Sequence, residues 1–308
     1  MRIRFSLALL ICLPAFPSLL AAPLKVSPKV ELFFSVFDSK GFPFTSLTSN
    51  DLQLLENDKA VPIRSLKFQP DTPFSIGILV DISRSMGPSN TSLALRLVKS
   101  LAEKMKSPDE LFLMAFSEDA ELVVDLISPE DYLEEALDHL GTGGTTYTGL
   151  AVDRALSKLR EAHNPKRIVL MISTGKDRAG QATLEHIGRA RLPIYAISLE
   201  GAGGIRGAYD SFGALSLRGS VLSIYAEKSG GLAHGAPDEE KGEMLLEGYC
   251  REWKNQYRLE YESPNLKPDG KYRDIQIKPV NPQLQVRHLP RYFVPLQSRR
   301  PVMEYWRF

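Results

Sequence analysis

The chain has 308 residues, 43% hydrophobic and 24% charged, with a formal net charge of +1. That length and apolar content support one large or two ordinary domains, each with a real core, and exclude a disordered tail. A charge so close to zero gives no bulk attraction for nucleic acid.

Met1 to Arg4 carries two arginines, and the short apolar run Phe5 to Leu13 follows, with the small residues Ala21 and Ala22 beyond it. This is the pattern of a secretory signal over residues 1–22. Pro14, Pro17 and the brevity of the run argue against a spanning helix, which needs ~20 apolar residues. The sequence therefore predicts export to the periplasm, the cell surface or the medium, with membrane contact only through envelope partners. Cleavage removes Cys12 and leaves Cys250 alone, so no internal disulfide is expected. Cys250 lies in a helical stretch and reads as a buried structural thiol.

Residues 23–71 read as short strands and turns: Val30 to Phe37, Asp51 to Glu56 and Ile63 to Phe68, broken at Asp38 to Gly41 and Asn57 to Lys59. The same texture returns over residues 255–296, in Gln256 to Tyr261, Tyr272 to Lys278 and Gln285 to His288, with a turn at Lys267 to Gly270. Each flank alone makes a marginal sheet; together they are expected to close one small β-sandwich around an inserted domain. Residues 297–308 read as a tail.

Between the flanks, residues 72–254 alternate strands with helices, the pattern of an α/β fold with a doubly wound sheet. The apolar run Phe74 to Val80 predicts a buried central strand, and Leu95, Val98, Ala102 and Met105 mark one face of the helix after it. A strand pair over Leu111 to Phe116 and Glu121 to Leu126 follows, then helices over Pro129 to Leu140 and Thr148 to Glu161. Next come a strand over Ile168 to Ile172, a helix over Gln181 to Ala190 and a strand over Ile194 to Leu199. The glycine-rich stretch Glu200 to Gly213 is longer than an ordinary strand-to-helix connection and is a candidate partner-binding flap carrying Arg206, Tyr209 and Phe212, or else a connector.

The central strand ends in Asp-x-Ser-x-Ser at Asp81, Ser83 and Ser85. One carboxylate and two hydroxyls in one loop outline a site for a hard cation, which prefers oxygen ligands, although a capped polar turn uses the same residue types. The loop Gly141 to Thr148 adds a candidate in Thr145, with Gly143 and Gly144 letting the backbone approach closely. Crevices of such sheets lie outside the carboxyl ends of the strands, where Asp81, Thr145 and Thr174 all fall.

Together these motifs resemble the metal-ion-dependent adhesion site (MIDAS) of von Willebrand factor type A (VWA) domains. The resemblance implies a Rossmann-like VWA domain in which Ser83, Ser85 and Thr145 bind the ion directly or through water, with Asp81 acting through water. The family usually places Asp where this chain has Thr174, so one negative charge is missing and Mg2+, Mn2+ or Ca2+ should bind weakly. Asp177 can compensate only if its loop bends back. The flanks resemble a bacterial family of exported VWA-related proteins through Asp38 to Gly41, Leu47 to Asn57, Lys228 to Gly231, Gln256 to Tyr261, Asp269 to Lys271 and Arg291 to Phe293.

Enzymatic signatures are missing: the five histidines show no metal spacing, and no Gly-x-Ser-x-Gly elbow, phosphate loop or dinucleotide fingerprint occurs. The expectation is a non-enzymatic adhesion or interaction module that takes a carboxylate of a protein partner through a divalent cation. The alternative is a metal-independent structural or assembly protein of the cell envelope.

Overall fold

The computed structural model describes residues 29–128, 140–200, 215–217, 219–265 and 267–296. The expected signal segment, the expected Pro129 to Leu140 helix except its last residue, the candidate flap with Arg206, Tyr209 and Phe212, and the expected tail lie outside the described residues.

The strands are β1 (Lys29–Phe37), β2 (Leu52–Glu56), β3 (Lys59–Ala60), β4 (Ile63–Pro70), β5 (Phe74–Asp81), β6 (Glu110–Phe116), β7 (Ala120–Ile127), β8 (Lys166–Ser173), β9 (Ile194–Ser198), β10 (Leu215–Ser216), β11 (Ala233–Gly235), β12 (Asn255–Glu262), β13 (Tyr272–Pro279), β14 (Gln285–His288) and β15 (Arg291–Phe293). The helices are α1 (Gly87–Lys104), α2 (Thr148–Lys158), α3 (Gln181–Ala190), α4 (Val221–Ser229) and α5 (Glu239–Lys254).

The central sheet runs β10-β11-β9-β8-β5-β6-β7. Strands β11, β9, β8, β5 and β6 are parallel, and β7 and β10 are antiparallel edges. Every residue of β5 is buried, as a strand covered on both faces requires. Gly77 in its middle is a packing glycine: a Cβ there would collide with the Phe112 ring on the neighbouring strand. Helices α1 and α5 cover one face through Leu97, Leu101, Leu246 and Trp253, while α2, α3 and α4 cover the other through Ala155, Ile187 and Leu222.

The inward stripe of α1 is Ala94, Leu97, Val98, Leu101 and Ala102. Leu95, expected on that stripe, is only half-buried, and Met105 stands one residue past the helix, where it is still buried. A 3.6-residue period starting from Ala94 leaves Leu95 a quarter-turn off the apolar centre line.

The two flanks pair with each other. Strand β1 lies between β14 and β12, with Leu32 opposite Leu259, and β4 closes the other side of β12. In the facing sheet β13 lies between β15 and β2. Strands from before and after the α/β domain alternate in the first sheet and meet at β13 and β2 in the second, and the sandwich core of Phe34, Tyr257, Leu259, Tyr261, Ile277 and Tyr292 draws on both. Glu56 is buried in this core yet fully served: Tyr261 and Tyr292 hydroxyls donate to its Oε2 at 2.8 and 3.0 Å, and Ser263 to its Oε1 at 2.7 Å. A buried carboxylate is tolerable only on such terms. Cys250 is buried in α5, and burial pushes its thiol up to about 11, away from reactivity. Among the described residues no helix is long and apolar enough to cross a membrane.

Candidate functional site

Strand β5 ends at Asp81, and the chain turns through Ile82 to Met86 into α1. The turn is held by the Met86 N–H donating to Ser83 O at 3.0 Å. Asp81 is fully buried, and each of its oxygens has a donor: Ser83 N–H to Oδ1 at 2.8 Å and the Ser173 hydroxyl to Oδ2 at 2.6 Å. Ser173, the last residue of β8, also accepts the Gly175 N–H at 2.9 Å. One serine therefore ties the Asp81 carboxylate to the loop that follows the neighbouring strand.

In front of Asp81 four hydroxyls meet. Ser83 Oγ lies 3.0 Å from Ser85 Oγ, Thr146 donates to Ser83 Oγ at 2.7 Å, and Ser85 lies 3.3 Å from Thr146 Oγ1. The fourth, Thr174 Oγ1, is 2.8 Å from Ser85 Oγ. Ser83, Thr146 and Thr174 are buried, and Ser85 is half-buried.

The structure thus brings Asp81, Ser83, Ser85 and Thr174 together, as the sequence suggested. The threonine it adds from the glycine loop is Thr146; Thr145, one residue earlier, is exposed and uses its N–H on Glu118 Oε1 at 3.2 Å. The backbone decides this. Gly143 N–H donates to Ile82 O at 2.8 Å, Arg84 N–H donates to Gly144 O at 3.1 Å, and Gly144 takes φ +76°, a left-handed turn suited to glycine. With the loop pinned at these points, Thr146 faces inward.

Two neighbours have other duties. The Asp177 carboxylate accepts the N–H and the hydroxyl of Thr148, both at 2.8 Å, so it caps the first turn of α2. Lys176 is exposed, its Nζ 3.8 Å from Glu200 Oε1. Among the described residues, Asp81 is the single carboxylate whose hydrogen bonds reach this cluster. The rim carries Glu118, Tyr147 and Arg84, all exposed.

The oxygens fit a small hard cation in spacing. Three ligands on one face of an octahedron around Mg2+ stand about 2.9 Å apart, and the Ser83, Ser85 and Thr146 oxygens stand 2.7 to 3.3 Å apart. They fit less well in charge, because three neutral hydroxyls and one carboxylate leave a divalent ion underneutralised. Among the described residues no three His, Cys, Asp or Glu side chains gather to hold a metal; the hydroxyl triangle is a different donor set.

Residues 76–176 match the family model described as the von Willebrand factor type A domain, and this segment of the chain is a VWA domain. A comparison with curated proteins gives no match. Among solved structures, the chain is similar to the conserved hypothetical protein BatB from Bacteroides thetaiotaomicron, with 17% identity over 59% of this chain and 99% of that one, TM-score 0.47. It is also similar to a von Willebrand factor type A protein from Catenulispora acidiphila, with 11% identity over 89% of this chain and 76% of that one, TM-score 0.48. A third is an aerotolerance-related membrane protein from Bacteroides fragilis, with 18% identity over 57% and 98% of the two chains, TM-score 0.45.

Proposed function

We propose that this is an exported, non-enzymatic interaction module that receives a carboxylate of a protein partner at the hydroxyl cluster through a divalent cation. The observation that carries the reading is the triangle of Ser83, Ser85 and Thr146 oxygens at octahedral spacing, backed by the buried Asp81 carboxylate. Mg2+, or Mn2+ or Ca2+ in its place, would be held by those three hydroxyls, with Asp81 and Thr174 behind them, and would supply a positive charge with an open coordination position. Asp81 is oriented by Ser173 and the Ser83 N–H, and Gly143, with open space where a Cβ would stand, adds no side chain to the site.

The charge balance suggests why a partner acid is needed. One buried carboxylate does not neutralise a dication, so an acidic side chain from the partner adds both a ligand and the missing charge. Metal and partner should then strengthen each other. The experiment is a pull-down from envelope extract, repeated with Mg2+, with chelator and with the Ser83→Ala protein. A partner retained only with Mg2+ and wild-type protein supports the reading.

A second reading has its own observation. The four hydroxyls satisfy one another, and both Asp81 oxygens are already bonded, so the cluster is a closed polar network that is stable without an ion. On that reading the protein is a structural or assembly component of the envelope that binds by surface shape. A partner retained equally with chelator and by Ser83→Ala favours it.

A further inference from the structure

At the opposite end of the central sheet lies a cavity of about 130 Å³ between the α/β domain and the sandwich. Its size is close to the cavity of about 150 Å³ known to accept a benzene ring. Phe33, Leu192, Pro193 and Leu289 give it apolar walls, and Lys166, the first residue of β8, reaches into its lining. Strand β8 ends at Ser173, so the cavity and the hydroxyl cluster are separated by eight residues of extended chain, roughly 23 Å. The two places are independent.

The charges around the cavity are unevenly matched. Its two carboxylates are already engaged: Glu31 by Arg258 at 2.5 Å, and Glu252 by the Tyr195 hydroxyl at 2.8 Å and by the Arg287 guanidinium. Lys166 is buried, and its ammonium donates to two backbone carbonyls, Trp253 O at 3.0 Å and Gln69 O at 3.5 Å, with the Phe33 ring centre 5.7 Å away. Asp109 and Asp71 are the acids that act on it from a distance. A buried ammonium served by carbonyls and a ring face is poorly compensated, and an anion in the adjoining space would relieve it.

We propose that this cavity binds a small organic carboxylate with a ring-sized apolar body, its carboxylate on Lys166 and its body against Phe33, Leu192 and Pro193. This reading does not depend on the hydroxyl cluster or on any metal there. Burial shifts the Lys166 amine downward, to about 8, so it is charged at neutral pH and can meet an anion. Closing the ion pair inside a largely apolar space makes the charge contact stronger than it is in water.

The test uses benzoate, with benzyl alcohol as a neutral probe of similar shape, titrated into the protein at pH 7 and constant ionic strength. The methyl resonances of Leu32, Leu192 and Ile168 report occupancy. Benzoate is expected to bind about tenfold or more tightly than benzyl alcohol, and the preference is expected to vanish in Lys166→Met. Equal binding of both probes, no benzoate binding, or a preference that survives Lys166→Met would overturn the proposal. If Lys166→Met does not fold, the comparison of the two probes on the wild-type protein decides alone.

Discussion

The Ser173 hydroxyl donates to Asp81 Oδ2 at 2.6 Å, joining the ends of two adjacent parallel strands through a fully buried carboxylate. Ser173→Ala removes this donor and the acceptor of the Gly175 N–H together. The buried carboxyl group then lacks one of its two donors, and stability should fall by about 1–3 kcal/mol. Urea unfolding monitored by the buried Trp253 measures it. A change within a few tenths of a kcal/mol would show that the carboxylate does not depend on this serine.

Thr146 and Thr145 differ in what their hydroxyls can reach. Thr146→Ala opens the oxygen triangle and should weaken Mn2+ binding about tenfold or more, while Thr145→Ala, at an exposed position, should change it less than about twofold. Calorimetric titration of both variants checks this. A larger loss from Thr145→Ala would mean that the loop rearranges around the ion.

Thr174→Asp puts a carboxylate at the position whose hydroxyl lies 2.8 Å from Ser85 Oγ. Affinity for a dication rises with the charge of its ligands, so Mn2+ should bind about tenfold more tightly. Without metal, the added charge lies near Asp81, and the variant should be less stable than wild type. Chelator and Mn2+ should move its melting temperature in opposite directions. A metal affinity no higher than that of wild type would count against a cation at this place.

Lys166 gives a dependence on pH. Its folded value of about 8 lies below the ordinary 10.5, because burial outweighs the attraction of Asp109 and Asp71. Below pH 8 the amine is charged in both folded and unfolded chains, and the full cost of burying it is present. Between about 8 and 10.5 the unfolded chain binds more protons, so this residue makes stability rise with pH. Lys166→Met should therefore be more stable than wild type at pH 7, by roughly 1–3 kcal/mol, with the gap closing toward pH 10. Urea midpoints at pH 7, 8.5 and 9.5 trace it; a gap constant with pH would contradict the assignment.

Much of the architecture was legible because periodicity and turn chemistry agreed. Strand β14 and helix α3 fall on their expected residues, Gln285–His288 and Gln181–Ala190, and the flanks interleave as their short strands required. Helix α4 was not legible. It buries Val221, Leu222, Ser223, Tyr225, Ala226 and Ser229 but leaves the apolar Ile224 exposed, so no clean apolar stripe stands out. Its Ser220 cap and the left-handed Gly230 after it were the available signals. At the site, the Asp-x-Ser-x-Ser motif announced Asp81, Ser83 and Ser85. The choice between two adjacent threonines could not be read, because it rests on the Gly144 turn and two backbone hydrogen bonds. The roles of Ser173 and Asp177 were hidden for the same reason: both act through partners far away in sequence.

The most direct test of the central claim is Mn2+ calorimetry on wild type and Asp81→Ala, each with and without acetate at constant ionic strength. Acetate is the simplest stand-in for a partner's acidic side chain. The account predicts that wild type binds one Mn2+, that acetate tightens the binding, and that Asp81→Ala loses both effects. Equal heats for wild type and Asp81→Ala, or an affinity indifferent to acetate, would contradict it.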